Sequence, residues 1–119
     1  MKVILVDDEK KFINMLAKRL ALRGIQADAV FSGEDAIKKV SNKAYDVAVL
    51  DIKMPGISGI QLKKKLSILD PGLKYIFVTG HGTVSKSDED LIQKDFYLSK
   101  PLDIEILIKR MNEIGKLGL

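Results

Sequence analysis

Short apolar runs alternate along the chain with longer stretches in which apolar residues recur every three or four positions. The short runs, rich in Val, Ile and Leu, predict strands, and the longer stretches predict helices. The five predicted strands are Lys2 to Val6, Ile25 to Val30, Asp46 to Leu50, Lys74 to Thr79 and Phe96 to Ser99. Runs such as Val47-Ala48-Val49-Leu50 have no polar interruption, which is typical of parallel strands buried on both faces.

Each helical stretch carries one apolar stripe. In chain order the stripes are Phe12, Leu16 and Leu20; Ala36, Ile37 and Val40; Leu62, Leu66 and Leu69; and Ile104, Leu107, Ile108, Met111 and Ile114. The second helix is preceded by Ser32 with Asp35 three residues on, which is a capping signal. Ser58 and Gln61 have capping-box spacing at the start of the third.

Gly24 ends the first predicted helix, and the last helix begins near Leu102. Residues 80–95 show little apolar periodicity, so we expect a short or mobile helix there. The strict alternation of strands and helices predicts an α/β fold, with a doubly wound five-stranded parallel sheet in the flavodoxin-like order 2-1-3-4-5 and helices on both faces. A chain of 119 residues has the length of one domain, so we expect residues 1–119 to form a single domain.

The composition excludes several kinds of site. The chain has no cysteine, which rules out disulfides, thiolate zinc sites and cysteine nucleophiles and fits a reducing compartment. No stretch reaches the roughly 18 apolar residues of a membrane span, and Asp7 follows the first strand too early for a signal peptide. We therefore expect a cytoplasmic protein without a membrane partner.

The chain is moderately basic, with 20 Lys and Arg against 16 Asp and Glu, a net charge of +4 and a pI of about 9.2. The excess is dispersed, and its densest run, Lys63-Lys64-Lys65, lies between Leu62 and Leu66 of a predicted helix. Such a run is typical of a solvated helix face. With no Trp and few aromatic residues for base stacking, we do not expect direct nucleic-acid binding.

Polar residues follow four of the five predicted strands. Asp7 and Asp8 follow the first strand, and Asp51 follows the third. Thr79 ends the fourth strand, and Lys100 follows the fifth. The carboxyl ends of parallel strands lie at one edge of a sheet, where open α/β folds bind their ligands. We therefore expect these side chains to converge there.

Three carboxylates placed together repel one another unless a cation joins them. Oxygen donors without His or Cys indicate a hard ion, and Mg²⁺ fits best because it needs few protein ligands and keeps part of its water. A metal held in this way can bridge to phosphoryl oxygens, and a carboxylate can be the nucleophile. The hydroxyl of Thr79 and the ammonium of Lys100 fit the supporting roles.

Four motifs lie at the ends of these strands. They are Val6-Asp7-Asp8-Glu9, Leu50-Asp51-Ile52-Lys53-Met54-Pro55-Gly56 with Gly59, Val78-Thr79-Gly80-His81-Gly82, and Tyr97-Leu98-Ser99-Lys100-Pro101. In this order and spacing, and over a chain of this length, they resemble the receiver domain of two-component response regulators. The resemblance runs from end to end of the chain.

The resemblance implies a signalling domain that catalyses only its own phosphoryl transfer and dephosphorylation. Asp51 would be the phosphoacceptor, attacking a phosphohistidine on a partner sensor histidine kinase to give an acyl phosphate. Asp8 and Asp51 would bind Mg²⁺ through their side chains, and Asp7 would act through a coordinated water. The backbone carbonyl of Lys53 would complete the protein ligands. The signal would pass to a downstream effector protein or to an output domain absent from this chain.

The resemblance also implies a conformational switch. Thr79 and Lys100 would each bind a phosphoryl oxygen, and the shift of the Thr79 hydroxyl would couple to the rotamer of Tyr97. From the sequence pattern alone, Tyr97 fits equally well as a half-buried edge aromatic with its hydroxyl in water.

Three further residues have structural roles. Pro55 and Gly56 have turn chemistry that shapes the loop beside Asp51, because Pro fixes φ and Gly accepts a positive φ. Pro101 resembles the family's cis-proline directly after the lysine, although X-Pro bonds in general are mostly trans.

Three alternative functions compete with this interpretation. A phosphatase of the haloacid dehalogenase type also has a strand-end Asp nucleophile and Mg²⁺, but it needs a second acid two residues on, where Lys53 stands. A flavodoxin-like FMN binder needs a Ser, Thr or Gly loop after the first strand, where Asp7-Asp8-Glu9 would repel phosphate. A phosphorylation-independent interaction module is disfavoured because every charged site residue is present.

Overall fold

The computed structural model describes residues 1–80 and 97–117. In chain order its elements are β1 (Lys2–Val6), α1 (Lys10–Leu22), β2 (Gln26–Val30), α2 (Gly33–Asn42), β3 (Val47–Asp51), α3 (Gly59–Leu69), β4 (Lys74–Thr79), β5 (Tyr97–Ser99) and α4 (Ile104–Leu117). The strands are parallel and lie in the order β2-β1-β3-β4-β5, which confirms the predicted fold. The helix predicted between β4 and β5 lies outside the described residues.

The sheet has an apolar core on each face. Within β3, Ala48 and Leu50 belong to the core beneath α2 and α3, and Val47 and Val49 belong to the core beneath α1 and α4. This division follows from the alternation of side chains along a strand. Every residue of β3 is buried, as the uninterrupted apolar run predicts.

The helix ends follow the capping signals in the sequence. Ser32 Oγ accepts a hydrogen bond from the N–H of Asp35 at 3.1 Å. Ser58 and Gln61 form a reciprocal capping box, with distances of 3.2 and 3.1 Å. Gly24 has a φ of 77° and turns the chain after α1.

Two strands differ by one residue from their predicted limits, and Phe96, the predicted start of the fifth strand, lies outside the described residues. β2 begins at Gln26, so that Ile25 lies before the strand. β3 begins one residue later than predicted and includes Asp51, because Asp51 pairs with Val78 of β4. The acid therefore belongs to the end of the strand itself.

The last helix also begins later than predicted. α4 starts at Ile104 instead of near Leu102, because Asp103 precedes it and its Oδ1 accepts a hydrogen bond from the N–H of Glu105 at 2.9 Å. The predicted stripe of this helix is present, with three fully buried residues at Leu107, Met111 and Ile114.

One residue of the predicted apolar stripes is exposed instead of buried. Leu62 and Leu66 of α3 are fully buried, but Leu69 is 47% exposed. Leu69 is the last residue of α3, and residues at a helix end have fewer neighbours to pack against.

Among the described residues, no helix combines the length and the apolar character that a membrane crossing requires.

Candidate functional site

Two neighbouring strands carry acids to the same edge of the sheet. β1 and β3 pair so that Val6 lies beside Leu50, and the residues that follow them are acidic. One carboxylate oxygen from each of Asp7, Asp8 and Asp51 lies within 4.8 Å of the other two. Asp7 and Asp51 are buried, and Asp8 is exposed. The acids at the predicted strand ends therefore do meet.

The surroundings of Asp51 oppose the ionisation of its carboxyl group. Burial, followed by the negative charge of Asp7, raises the pKa of Asp51 to about 6. The charge of Lys100 and a hydrogen bond of 3.3 Å from the N–H of Lys53 to Asp51 Oδ1 act in the opposite direction. Three carboxylates with this arrangement gain from a hard divalent cation, since every donor is an oxygen.

The backbone after β3 is held close to Asp51. Gly56 has a φ of 84°, as the Pro55-Gly56 turn predicts. The N–H of Gly59 donates to the carbonyl of Ile52 at 2.9 Å, and a Cβ atom at Gly59 would collide with the backbone carbonyl of Asp51. The start of α3 therefore packs directly against the strand end that carries the acid.

Thr79 lies at the end of β4, between β3 and β5. Val78 pairs with Asp51, and Thr79 pairs with Ser99. The Thr79 side chain is fully buried, and its Oγ1 has no hydrogen-bond partner within residues 1–80 and 97–117. Leaving a buried hydroxyl unpaired is costly, and a ligand oxygen at this place would satisfy it.

The side chain of Lys100 extends to residues at the end of β1. Its Nζ lies 2.8 Å from Asp7 Oδ2, 2.8 Å from Glu9 Oε1, and 4.6 Å from the centroid of the Phe12 ring. Burial opposes the charge of Lys100, but hydrogen bonds with Asp7 and Glu9 outweigh it and raise the pKa of Lys100. The sequence predicts that Lys100 reaches the acids. It does not reveal the contacts with Glu9 and Phe12, which depend on the direction that α1 takes.

Tyr97 is the first described residue of β5. It pairs with Phe77 and is partly buried against the core beneath α2 and α3. Both interpretations of Tyr97, as a switch and as an edge aromatic, are compatible with this position. The Lys100-Pro101 peptide bond is cis, as the family resemblance implies. His81 lies outside the described residues.

Comparison with known proteins identifies the family. The model of a family described as response regulator receiver domain matches residues 3–112. The chain belongs to this family of receiver domains. Its function is therefore that of a response regulator receiver domain in two-component signal transduction.

The curated relatives of this receiver domain are longer proteins. The two-component response regulator PhoP of Pseudomonas aeruginosa is 33% identical over 96% of this chain and 51% of that protein. The transcriptional regulatory protein CutR of Streptomyces coelicolor is 32% identical over 98% of this chain and 54% of that protein. The chain thus spans about half the length of the curated relatives it matches.

Solved receiver domains have the same fold. The receiver domain of the Francisella response regulator 1452 aligns with a TM-score of 0.84 and 31% identity, over 99% of this chain and 98% of that one. The response regulator TrrA of Thermotoga maritima, solved in complex with Mg(2+)-BeF, aligns with a TM-score of 0.82 and 29% identity, over 95% and 97% of the two chains.

Proposed function

We propose that Asp51 accepts a phosphoryl group from a phosphohistidine of a sensor histidine kinase. A carboxylate oxygen of Asp51 attacks the phosphorus, the P–N bond breaks, and its electron pair stays on the imidazole, which takes up a proton. The product is an acyl phosphate. The observation that carries this proposal is the burial of Asp51 beside Asp7 and Asp8, one strand from the buried hydroxyl of Thr79, which has no partner among the described residues.

The same cluster is the proposed Mg²⁺ site. Asp8 and Asp51 would hold the ion through their side chains, and Lys53 would hold it through its backbone carbonyl. Asp7 would act through a water, since its Oδ1 accepts from the N–H of Glu9 at 2.9 Å and its Oδ2 pairs with Lys100. When bound, Mg²⁺ would offset the charge of the acids and attract the phosphoryl oxygens.

Two residues then respond to the new charge at Asp51. A phosphoryl group adds about two negative charges. Thr79 donates its hydroxyl to one phosphoryl oxygen, and Lys100 pairs with another. Thr79 of β4 pairs with Ser99 of β5, which lies two residues after Tyr97. We therefore propose that Tyr97 transmits the change to the partner-binding face.

The domain acts as a phosphoacceptor and not as an enzyme on a separate substrate. The relatives named as a response regulator and a transcriptional regulatory protein are about twice as long as this chain. The output is therefore proposed to reside in a downstream effector protein or in an output domain outside residues 1–119. The organisation of residues 1–119 as one domain stays a prediction.

Labelling by acetyl phosphate tests the role of Asp51. Intact-protein mass spectrometry should show the addition of one phosphoryl group when Mg²⁺ is present and none with a chelator. Asp51→Asn should stay unlabelled. Glu113 is an acid in α4 that pairs with Arg110. Glu113→Gln should be labelled like the wild type. Labelling of Asp51→Asn, or labelling without metal, would overturn the assignment. Sustained hydrolysis of phosphomonoesters would favour the phosphatase alternative instead.

A further inference from the structure

The ammonium group of Lys100 is already engaged on several sides. Its Nζ makes two charge-assisted hydrogen bonds, to Asp7 and Glu9, each 2.8 Å long. The Phe12 ring lies against it at 4.6 Å, and the Lys100 side chain is only 13% exposed. Two of its three donors are thus committed. A bond from Lys100 to a phosphoryl oxygen must therefore use the third donor or displace one of these two partners.

Breaking the contact between Lys100 and Asp7 costs more free energy than breaking the contact between Lys100 and Glu9. Asp7 is 3% exposed, and a buried charge that loses its partner is strongly destabilising. Glu9 is 62% exposed, so water replaces Lys100 around its carboxylate at little cost. Glu9 is therefore the partner that Lys100 can give up.

The start of α1 does not depend on a cap hydrogen bond from the Glu9 side chain. Glu9 is the N-cap residue of α1, but its side chain makes no cap hydrogen bond. The backbone carbonyl of Glu9 accepts from the N–H of Ile13 at 3.0 Å, and this bond does not depend on the side chain. A substitution that keeps the backbone unchanged therefore leaves the helix start intact.

We propose that Glu9 is a positioning residue that holds Lys100 in a resting place beside Asp7 and Phe12, and that it releases Lys100 when the phosphoryl group forms on Asp51. This inference rests on the proposed function of Asp51. Glu9 then competes with the phosphoryl group for Lys100, so the resting contact weakens phosphoryl binding.

The test uses Glu9→Gln, which keeps the size of the side chain and removes its charge. The probe is beryllofluoride with Mg²⁺, a mimic of a phosphoryl group, and its binding is followed by ¹⁹F NMR. Glu9→Gln should bind the probe about two- to fivefold more tightly, the range expected for loss of one exposed ion pair. Glu9→Asp, shorter by one methylene, should show a smaller increase. Glu113→Gln, with the same change in net charge, should match the wild type.

A double-mutant cycle separates the contact from a general charge effect. If Glu9 acts through Lys100, the gain from Glu9→Gln should vanish in a Lys100→Met background. If that background binds the probe too weakly, the same cycle is measured as rates of labelling by acetyl phosphate. Circular dichroism first establishes that each variant is folded.

The outcomes separate the proposed role of Glu9 from the proposed function of Asp51. Tighter binding by Glu9→Gln that is lost in the Lys100→Met background supports the proposal. An unchanged or weaker affinity of Glu9→Gln, or a gain that persists without Lys100, overturns the role of Glu9. Failure of the wild type itself to bind the probe with Mg²⁺ would count against the proposed function of Asp51.

Discussion

Replacement of Asp51 by Asn should stabilise the metal-free domain. The Asp51 carboxyl has a pKa of about 6, compared with an ordinary value of 3.8, because of burial and of the charge of Asp7. The folded domain therefore binds this proton more tightly than the unfolded chain. It follows that the free energy of unfolding falls as the pH rises from about 4 to about 6 and then levels off.

The size of this effect follows from the same pKa. At about 1.4 kcal/mol per pKa unit, keeping Asp51 ionised costs the folded domain about 3 kcal/mol at neutral pH. This figure is an upper limit for Asp51→Asn, because the amide loses the attraction of Lys100 and the full strength of the hydrogen bond from Lys53. We expect a gain of about 1–3 kcal/mol.

Urea unfolding followed by far-UV circular dichroism measures the difference, since the chain has no Trp to report by fluorescence. With a chelator present, the advantage of Asp51→Asn should be smallest near about pH 4 and largest above about pH 6.5. Glu113→Gln should stay within about 0.5 kcal/mol of the wild type throughout. If Asp51→Asn is less stable than the wild type at neutral pH, or if the difference does not depend on pH, the reasoning about charge repulsion is wrong.

Three further changes test other parts of the site. Mg²⁺ should raise the melting temperature of the wild type by relieving the repulsion among the acids, and a chelator titration without any shift would contradict this. Gly59→Ala should lower stability by about 1–3 kcal/mol and reduce labelling of Asp51, because the new Cβ meets the Asp51 carbonyl. Gly72→Ala is its control, since the nearest atom there is 3.6 Å away. Lys100→Ala should still accept a phosphoryl group but fail to change its partner affinity, and an unaltered affinity change on phosphorylation would argue against the role of Lys100.

The convergence of the acids is predictable because it depends only on where strands end. Asp7 and Asp51 each follow an uninterrupted apolar run, and in a parallel sheet with helical crossovers such ends must lie at one edge. Neighbouring strands then bring the carboxylates together, as the pairing of β1 with β3 shows. The caps at Ser32 and Ser58 are predictable for a similar reason, since their partners lie only three residues away.

Contacts between distant residues are not predictable in this way. Glu9 and Lys100 are 91 positions apart, and their pairing depends on how α1 leaves β1 and on the course of the chain after β5. The close approach of Gly59 to Asp51 likewise depends on the angle at which α3 meets the sheet. The exposure of Leu69 reflects the end of a helix, which an apolar stripe does not mark.

The most direct measurement is to locate the phosphoryl group on the chain. Borohydride reduces an aspartyl phosphate to homoserine, so peptide mass mapping after acetyl phosphate treatment identifies the acceptor residue. We predict homoserine at position 51 when phosphodonor and Mg²⁺ are both present, and at no acid when either is omitted. Homoserine at Asp7 or Asp8, or a phosphoryl group on His81, would contradict the claim that the acidic cluster serves to phosphorylate Asp51.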